Sequence, residues 1–518
     1  MTRVVEAGTR LSELSEDERG ERFARLQERL LPVWEAMRRD EPGESIVVVP
    51  SVTANVGAAV QALEERFLFL LLLLRQPRLR VIYLSGRPIP EAIIQYYLGL
   101  LPGVIPPQAR RRLHMVAVND GSPRAVAAKL LERPRVLAHV RALIPDPARS
   151  HLVPYSTTAL ERDLALALGI PLYGADPRLL PLGTKTGCRR LFAEAGVPHP
   201  QGVEDIHDLD GIVDALAAIR AADPETSFAI AKLNEAVSGR GNALIDLRGL
   251  PAPGSPSEAS ALRERAAAMT FERPDIGLPE YLAQLARDGG IVERRIVGAE
   301  LRSPSVQLRI TPLGEVELLS THDQLLGGPS GQSYLGCRFP ADPAYAAAIT
   351  REAAKIGTRL VREGVLGRFA IDFVVVRENG RWKPFAIELN LRKGGTTHPF
   401  LTLQFLTDGR YDPDDARFVA PSGREKHLVA TDHLESDLLR SLSVDDLFDV
   451  TVRQRLHFDL ARQTGTVFHM MSPITELGRV GVTAVGDSAE EADAIFRRAE
   501  EVLVEEAAPP PEPALPPV

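Results

Sequence analysis

The stretch that decides the fold is FAIDFVVV at residues 369–376, followed by KPFAIELNLRKGGTTHPF at residues 383–400. The segment 378–380 between them reads Glu-Asn-Gly, a sequence typical of a tight turn. Two apolar runs joined by such a turn predict a pair of hairpin strands. The second strand runs directly into a glycine-bearing segment, GGTTHP.

Oxygen-bearing side chains are concentrated on this predicted hairpin. Glu388 and Asn390 are two residues apart, so they project from the same face of their strand, and Asp372 lies on the neighbouring strand. Two carboxylates and an amide oxygen are costly to bury unless a cation compensates them, and Mg²⁺ favours such ligands. A solvated strand face with incidental acids is equally consistent with these three residues alone.

A second feature is AIAKLNEAVSGRGNALIDL at residues 229–247, which predicts a strand, a glycine-bearing loop and another strand. Gly239 and Gly241 allow backbone N–H groups to approach phosphate oxygens, and Lys232 supplies a positive charge. Taken alone, the pattern is more typical of an ordinary hairpin turn.

Two further segments add weaker signals. Lys185 lies in GTKTG before a helical pattern, but the spacing is not that of a P-loop, which disfavours a Walker ATPase. Residues 290–310 read as two β-like runs around a turn, and the segment 292–296 offers a backbone edge to a nucleotide. Without the other features, this segment predicts only an amphipathic hairpin.

The segment RKGGTTHP (392–399) presents glycines, hydroxyls and an imidazole directly after a strand. It predicts a carboxylate-binding turn, in which Gly394 and Gly395 supply backbone donors. Orienting hydrogen bonds are expected from Thr396, Thr397 and His398. The alternative is a structural turn that ends at Pro399.

His398 is a candidate general base for an attacking amine, because imidazole titrates close to neutral pH. A histidine that only hydrogen-bonds the loop backbone is equally consistent. Arg309 and Arg302 are candidates to neutralise an acyl phosphate, with Arg309 ranked above Arg302. The alternative is that they simply pair with acids. Residues 321–341 are rich in turn residues and predict a long loop that covers the site.

Taken in order, these features resemble the ATP-grasp superfamily. The motifs KLNEAVSGRGN, SPSVQLRI and ELNLRKGGTTHP resemble its pheganomycin-type peptide ligase branch. The resemblance covers residues 183 to about 400, and the flanking regions match only in general arrangement.

The resemblance implies a role for each candidate residue. Nucleotide phosphates would be contacted by Lys185 and Lys232 and covered by a loop that includes Ser238, Gly239, Gly241 and Asn242. Adenine and ribose would be held by Val292, Glu293 and Ile296. One or two Mg²⁺ ions would be bound by Asp372, Glu388 and Asn390. Arg392 would support phosphate or carboxylate near the reacting centre, and RKGGTTHP would line the acceptor side.

The implied activity is an ATP-dependent carboxylate–amine (peptide) ligase that forms an amide bond through an acyl phosphate and releases ADP and phosphate. Small-molecule carboxylates and amines, such as amino acids or short peptides, are the expected substrates. Another ATP-grasp activity is an alternative, either D-alanine–D-alanine-type ligation or carboxylation, and residues 478–496 resemble the closing domain of carboxylase-type members. A nucleotide-binding pseudoenzyme is a further alternative.

The length of 518 residues predicts several packed units of mixed α/β and α+β class. Residues 1–180 are expected to hold an N-terminal helix pair and a Rossmann-like pre-ATP-grasp domain without a GxGxxG fingerprint. The central ATP-grasp domain is expected at 181–425, a small α+β domain at 426–505, and a disordered proline-rich tail at 506–518.

Composition narrows the class of protein further. The formal net charge of −8 argues against nucleic acid as a partner, and the two cysteines lack metal-ligand spacing. The apolar run FLFLLLLL at 67–74 is far shorter than the ~20 residues that a membrane helix needs, and predicts a buried core helix. We therefore expect a cytoplasmic enzyme without membrane contact, whose oligomeric state stays open.

Overall fold

The computed structural model describes residues 11–39, 44–51, 60–235, 241–272, 275–327 and 333–508. The expected tail at 506–518 lies mostly outside these ranges. No helix in these ranges has both the length and the apolar character that crossing a bilayer requires.

The first unit is a parallel sheet covered by helices. Its strands are β1 (Ser45–Val49), β2 (Arg80–Ser85), β3 (Leu113–Ala117) and β4 (Ser150–Pro154), paired in the order β3-β2-β1-β4. The strands β1 and β4 are buried along their whole length, as is usual for parallel strands between helical layers. The predicted Rossmann-like layer is therefore confirmed.

The helices of this unit begin with the predicted N-terminal pair, α1 (Glu16–Gln27) and α2 (Leu30–Arg38). A capping box formed by Ser15 and Glu18 fixes the start of α1. The remaining helices are α3 (Val60–Glu65), α4 (Glu91–Gly99), α5 (Pro106–Arg110), α6 (Val126–Leu131), α7 (Pro134–Leu143) and α8 (Ala159–Leu168).

The apolar run at 67–74 forms a 3₁₀ helix, Arg66–Arg75, that is almost completely buried. It shares one hydrophobic core with the first sheet and with residues far along the chain, such as Phe400 and Val482. The predicted buried core helix is confirmed, and this helix holds the N-terminal and C-terminal parts of the chain together.

The second unit is an antiparallel sheet in the order β5-β9-β6-β7-β8. Its strands are β5 (Gly202–Ile206), β6 (Phe228–Leu233), β7 (Asn242–Asp246), β8 (Thr270–Phe271) and β9 (Gly290–Arg294). Its helices are α9 (Lys185–Glu194), α10 (Leu209–Ala222), α11 (Glu258–Ala267) and α12 (Leu278–Asp288). The predicted strand–loop–strand at 229–247 is the β6–β7 hairpin, with Lys232 opposite Asn242.

The third unit is a nine-stranded sheet ordered β10-β14-β11-β12-β13-β18-β20-β19, with β15 also paired to β14. Its strands are β10 (Leu301–Arg302), β11 (Pro304–Ile310), β12 (Val316–Gly327), β13 (Ser333–Phe339), β14 (Gly367–Glu378), β15 (Arg381–Asn390), β18 (His427–Glu435), β19 (Gly465–His469) and β20 (Arg479–Gly486). A separate strand pair consists of β16 (Arg410–Asp412) and β17 (Arg417–Val419). The helices are α13 (Pro343–Arg362), α14 (Thr397–Thr407), α15 (Val444–Arg453), α16 (Ile474–Leu477) and α17 (Ala489–Ala507).

This sheet crosses the expected boundary between residues 425 and 426, because β13 pairs with β18. The division of the chain into domains at that point stays a prediction.

Two local expectations and one of the alternatives are wrong. The runs within 290–310 do not form a hairpin, since β9 and β11 belong to different sheets. Residues 321–341 are mainly the antiparallel strands β12 and β13 rather than a long loop, although 328–332 lie outside the described residues. Pro399 does not end a turn, because it lies in the first turn of α14, where a missing N–H removes no helical hydrogen bond.

Candidate active site

The hairpin β14–β15 brings the predicted acids together. Asp372 is directly opposite Glu388, and Asn390 is opposite Ala370, so all three side chains share one face of the sheet. A register irregularity follows Asp372, where Phe373 pairs with Ala386, and such bulges re-aim side chains next to active sites.

Two amide groups hold the carboxylate of Asp372. Gln324 Nε2 donates to Asp372 Oδ1 at 2.8 Å, and Asn390 Nδ2 donates to Asp372 Oδ2 at 3.0 Å. The amide oxygen of Asn390 is not used in this contact, which leaves it as a ligand for a cation. Ser305 adds a hydrogen bond to Asp372 from the neighbouring strand β11.

Lys185 faces the second acid. It is the first residue of α9, whose N-terminus is capped by Thr184, and its Nζ lies 2.5 Å from Glu388 Oε1. Only 8% of the Lys185 side chain is exposed. Burial lowers the pKa of Lys185, but the charge of Glu388 outweighs this and raises it above its usual value. The lysine is therefore charged and can transfer its contact to a phosphate.

The acids differ in proton affinity. Burial, together with the charge of Glu388, raises the pKa of Asp372 to about 6. Burial also raises the pKa of Glu388, but the ammonium of Lys185 outweighs it, so the net shift is downward. A carboxyl that resists ionisation beside an ionised one marks a site with too little positive charge. The donor set of two carboxylates and one amide oxygen fits Mg²⁺, which accepts few protein ligands and keeps positions for phosphates.

Lys232 is held by a second buried acid. Its Nζ lies 2.6 Å from Glu293 Oε1, and Arg189 Nη1 donates to Glu293 Oε2 at 3.0 Å. Both oxygens of Glu293 are thus occupied, and its side chain is 3% exposed. In this structure Glu293 positions Lys232 rather than offering a free carboxylate to ribose.

The remaining nucleotide candidates are distributed differently. The side chain of Val292 is packed in the core of the second unit, and β9 is paired on both sides, so its backbone edge is not free. Ile296 follows the end of β9 and is half-buried. Gly241 and Asn242 begin the return strand of the β6–β7 hairpin, while Ser238 and Gly239 lie outside the described residues.

Arg392 lies just beyond the metal-binding candidates, against the N-terminal unit. Its Nη1 donates to Tyr155 Oη at 3.2 Å, and its guanidinium lies 5.8 Å from the centre of the Tyr155 ring. Arg66 lies over the same ring at 5.2 Å. Burial would raise the pKa of Tyr155, but these two cations lower it. The Tyr155 ring is thus shared by two arginines.

The segment 394–397, called the GGTT segment, is fixed by the buried side chain of Gln307. Gln307 Nε2 donates to Thr396 Oγ1 at 2.6 Å, and Thr397 Oγ1 donates to Gln307 Oε1 at 3.2 Å. Gly394 N donates to Thr397 Oγ1 at 2.9 Å. Gly395 is packed on Tyr334, whose ring would lie 2.5 Å from an added Cβ. Both hydroxyls thus shape the segment, and the N–H groups of Gly394 and Thr397 are used within it. Gly394 is therefore not the free backbone donor that the sequence predicts.

Two predicted catalytic residues are not brought to the acids. Arg309 Nε donates to Glu317 Oε2 at 2.5 Å, and its guanidinium lies over Trp34 at 5.1 Å. The Nε2 of His398 contacts His469 and Asp432 instead. Neither side chain has a contact with Asp372 or Glu388 in the described residues.

Sequence reasoning did not single out several residues of the site. These are Arg66, Tyr155, Arg189, Ser305 and Gln307. Ser305 and Gln307 lie within the quoted motif SPSVQLRI, whose alternation places both on the face that pairs with Asp372 and Ala370. Arg66 and Tyr155 carry no local signal, because the tertiary fold alone brings them to the site.

Comparison with known proteins places the chain. The model of the family described as IQCH-like, ATP-grasp matches residues 180–273 and 274–414, and that of the PGM1 C-terminal domain matches 446–499. The L-propargylglycine–L-glutamate ligase of Streptantibioticus cattleyicolor is 27% identical over 448 residues, which cover 85% of this chain and 89% of that protein.

Two other proteins are similar. IQ motif-containing protein H of Danio rerio is 25% identical over 443 residues, covering 76% of this chain but 42% of that longer protein. The biotin carboxylase domain of Hydrogenobacter thermophilus 2-oxoglutarate carboxylase, solved with MgADP, ADP and bicarbonate, has a TM-score of 0.51 at 14% identity. The alignment covers 88% of this chain and 89% of that domain, and shows a shared fold.

These findings confirm the predicted superfamily and multidomain α/β fold. The relative that aligns over most of the chain is a ligase, in agreement with the predicted enzyme class. ATP and Mg²⁺ are the cofactors typical of this superfamily. Residues 180–414 of the chain are similar to the ATP-grasp family.

Proposed function

We propose that this protein is an ATP-dependent ligase that joins the carboxylate of one amino acid or short peptide to the amine of another. The observation that carries the proposal is the shared face of Asp372, Glu388 and Asn390, with Lys185 in contact with Glu388. The similarity to L-propargylglycine–L-glutamate ligase, a protein named for joining two amino acids, supports this substrate class.

The nucleotide phosphates would lie between the two antiparallel sheets, where Lys185 and Lys232 of the second unit face Glu388 of the third. Mg²⁺ held by Asp372, Glu388 and Asn390 would neutralise charge on the phosphate oxygens. Lys185 would exchange its contact with Glu388 for a phosphate, and Lys232 would reach the phosphates from its seat on Glu293. Because Arg189 also binds Glu293, that carboxylate stays in place when the lysine moves.

The proposed reaction has two steps. A carboxylate oxygen of the first substrate attacks the γ-phosphorus of ATP, the bond to the β-phosphate oxygen breaks, and ADP leaves. The amine of the second substrate then attacks the carbonyl carbon of the acyl phosphate, inorganic phosphate leaves, and the ammonium proton passes to solvent. Positioning and charge neutralisation supply the catalysis, so no covalent enzyme intermediate is needed.

Arg392 and the GGTT segment would organise the reacting groups. The guanidinium of Arg392 contacts Tyr155 through one nitrogen, which leaves further donors for an acyl phosphate or a carboxylate. The backbone N–H groups of Gly395 and Thr396 would orient the acceptor, since those of Gly394 and Thr397 are used within the segment. The loop at the tip of the β6–β7 hairpin would cover the phosphates and exclude water, which otherwise hydrolyses an acyl phosphate.

A product screen tests this function. The purified protein is incubated with ATP, Mg²⁺ and pooled amino acids and dipeptides, and products are sought by mass spectrometry as coupled masses less one water. The proposal predicts a coupled product and one ADP per product, both absent with Asp372→Asn. ADP without any coupled product, or carboxylation of a substrate by bicarbonate, would contradict it.

A further inference from the structure

A buried group of three side chains lies beyond the acids of the proposed active site. His398 is near the start of α14, Asp432 is on β18 and His469 is on β19. Each is at most 5% exposed. The two Nε2 atoms are 3.0 Å apart, and Asp432 Oδ1 lies 3.1 Å from the Nε2 of His398 and 2.9 Å from that of His469. The three contacts therefore join the same three atoms into a triangle.

Hydrogen bonds cannot account for all three sides of this triangle. An imidazole nitrogen carries either one hydrogen or one lone pair directed outward in the ring plane. If both Nε2 atoms are protonated, both donate to Asp432 and their mutual contact is repulsive. If one is unprotonated, its lone pair faces the carboxylate oxygen at about 3 Å, which is also repulsive. At least one side of the triangle is unfavourable without another atom.

A metal ion makes all three sides favourable. Ligands about 2.1 Å from a six-coordinate ion, at right angles to each other, are about 3.0 Å apart. The observed separations of 2.9, 3.0 and 3.1 Å match this spacing. Two imidazoles and one carboxylate form a common ligand set for divalent transition metals.

The surroundings prepare these side chains as ligands. Arg66 Nη1 donates to Asp432 Oδ2 at 2.7 Å, which fixes the carboxylate with Oδ1 beside the two histidines. Gly481 makes room for the ring of His469, because an added Cβ would lie 2.2 Å from its Nε2. The Nδ1 of His398 has no partner in the described residues, so packing against the His469 ring orients it.

We propose that His398, Asp432 and His469 bind one divalent transition-metal ion at a site separate from the Mg²⁺ of the reaction. The site shares no ligand with Asp372, Glu388 and Asn390. It joins α14 to β18 and β19, and His398 directly follows the GGTT segment. The ion would therefore hold the acceptor side in place rather than take part in phosphoryl transfer.

Metal titration of the full chain tests the proposal. Protein stripped with a chelator and returned to buffer with excess Mg²⁺ is titrated with Co²⁺, followed by visible absorption, and with Zn²⁺, followed by elemental analysis after gel filtration. The wild type is expected to retain one equivalent of either ion, because transition ions outcompete Mg²⁺ for imidazole ligands. Retention of no ion by the wild type would overturn the proposal, and this outcome does not depend on the folding of any variant.

Variants locate the ion. His469→Gln and Asp432→Asn are each expected to lose the bound metal ion and with it the Co²⁺ absorption spectrum. Circular dichroism reports whether the two variants fold. His457→Gln removes an exposed histidine, and Asp372→Asn removes a proposed Mg²⁺ ligand, so both should retain the ion. An unchanged spectrum in folded His469→Gln and Asp432→Asn would overturn the assignment. If one of them does not fold, the other decides. If neither folds, an unchanged wild-type melting temperature on Co²⁺ binding would overturn it.

Discussion

The ion pair of Lys185 and Glu388 predicts how much stability the protein loses when one of the two charges is removed. The two charges are 2.5 Å apart, with 8% and 25% of the side chains exposed. At an effective dielectric constant of about 20, their attraction is about 7 kcal/mol, much of which offsets the cost of desolvating both groups. Removing one partner from a buried pair costs about 3–5 kcal/mol, and the partial exposure of Glu388 places Lys185→Met at about 3 kcal/mol.

The double variant should be far more stable than the sum of the single variants. In Lys185→Met/Glu388→Gln no unpaired charge is left, so we expect a coupling energy of about 2–3 kcal/mol. The assay is urea denaturation in chelator without nucleotide, with the free energy taken from the transition that contains this unit. Mg²⁺ should restore stability to Lys185→Met, because the ion supplies the missing positive charge.

The pair Lys355 and Glu352, whose lysine side chain is 48% exposed, is the matched control, since Lys355→Met should change stability by less than about 1 kcal/mol. Additive single variants, with a coupling energy below about 0.5 kcal/mol, would refute the reasoning, as would a lack of response of Lys185→Met to Mg²⁺.

Three further results are expected. Without Mg²⁺, the pKa of Asp372 is raised to about 6, so the protein should lose up to about 3 kcal/mol of stability as the pH rises from about 4 to 6. Asp372→Asn should remove this loss when denaturation is measured as a function of pH. An unchanged dependence of stability on pH in Asp372→Asn would contradict the expectation. Lys232→Met should weaken ATP binding by at least about tenfold in calorimetry, while Lys355→Met leaves it unchanged, since a charged hydrogen bond contributes about 1.5–3 kcal/mol; equal affinities would count against the phosphate role. Gln307→Ala should raise the KM of the amine substrate with little change in ATP affinity, because it releases both threonines of the GGTT segment; equal KM values would show that the segment does not contact the acceptor.

The central hairpin could be predicted from the sequence because its signals are local. Alternation along 369–390 and the turn at 378–380 define β14 and β15, and their register then places Asp372 opposite Glu388. Lys185 and Lys232 could be singled out because each lies beside a helix start or a glycine loop, and the resemblance to a known family supplied their order.

The strand β13 shows why other features could not be predicted. The segment 321–341 is rich in glycine and serine, which is typical of loops. Gly336 is instead packed against the backbone of Ala430, where an added Cβ would lie 2.2 Å from the carbonyl oxygen. The glycine serves strand pairing with a segment almost a hundred residues away, and no local pattern reveals this.

Long-range contacts also explain the residues that sequence reasoning assigned differently. Glu293 resembles a ribose ligand in its motif, but Arg189 and Lys232 reach it only in the folded sheet. His398 resembles a general base, but strands β18 and β19 bring it Asp432 and His469. A side chain's role depends on such partners, which the order of residues does not specify.

The most direct measurement of the central claim follows oxygen from the substrate to phosphate. Amino acids labelled with ¹⁸O in their carboxyl groups are incubated with ATP, Mg²⁺ and the protein, and the released phosphate is analysed by mass spectrometry. Attack of the carboxylate on the γ-phosphorus predicts one ¹⁸O in each phosphate released with a coupled product, and none with Glu388→Gln. Unlabelled phosphate beside a labelled product, or release of AMP and pyrophosphate, would contradict the account.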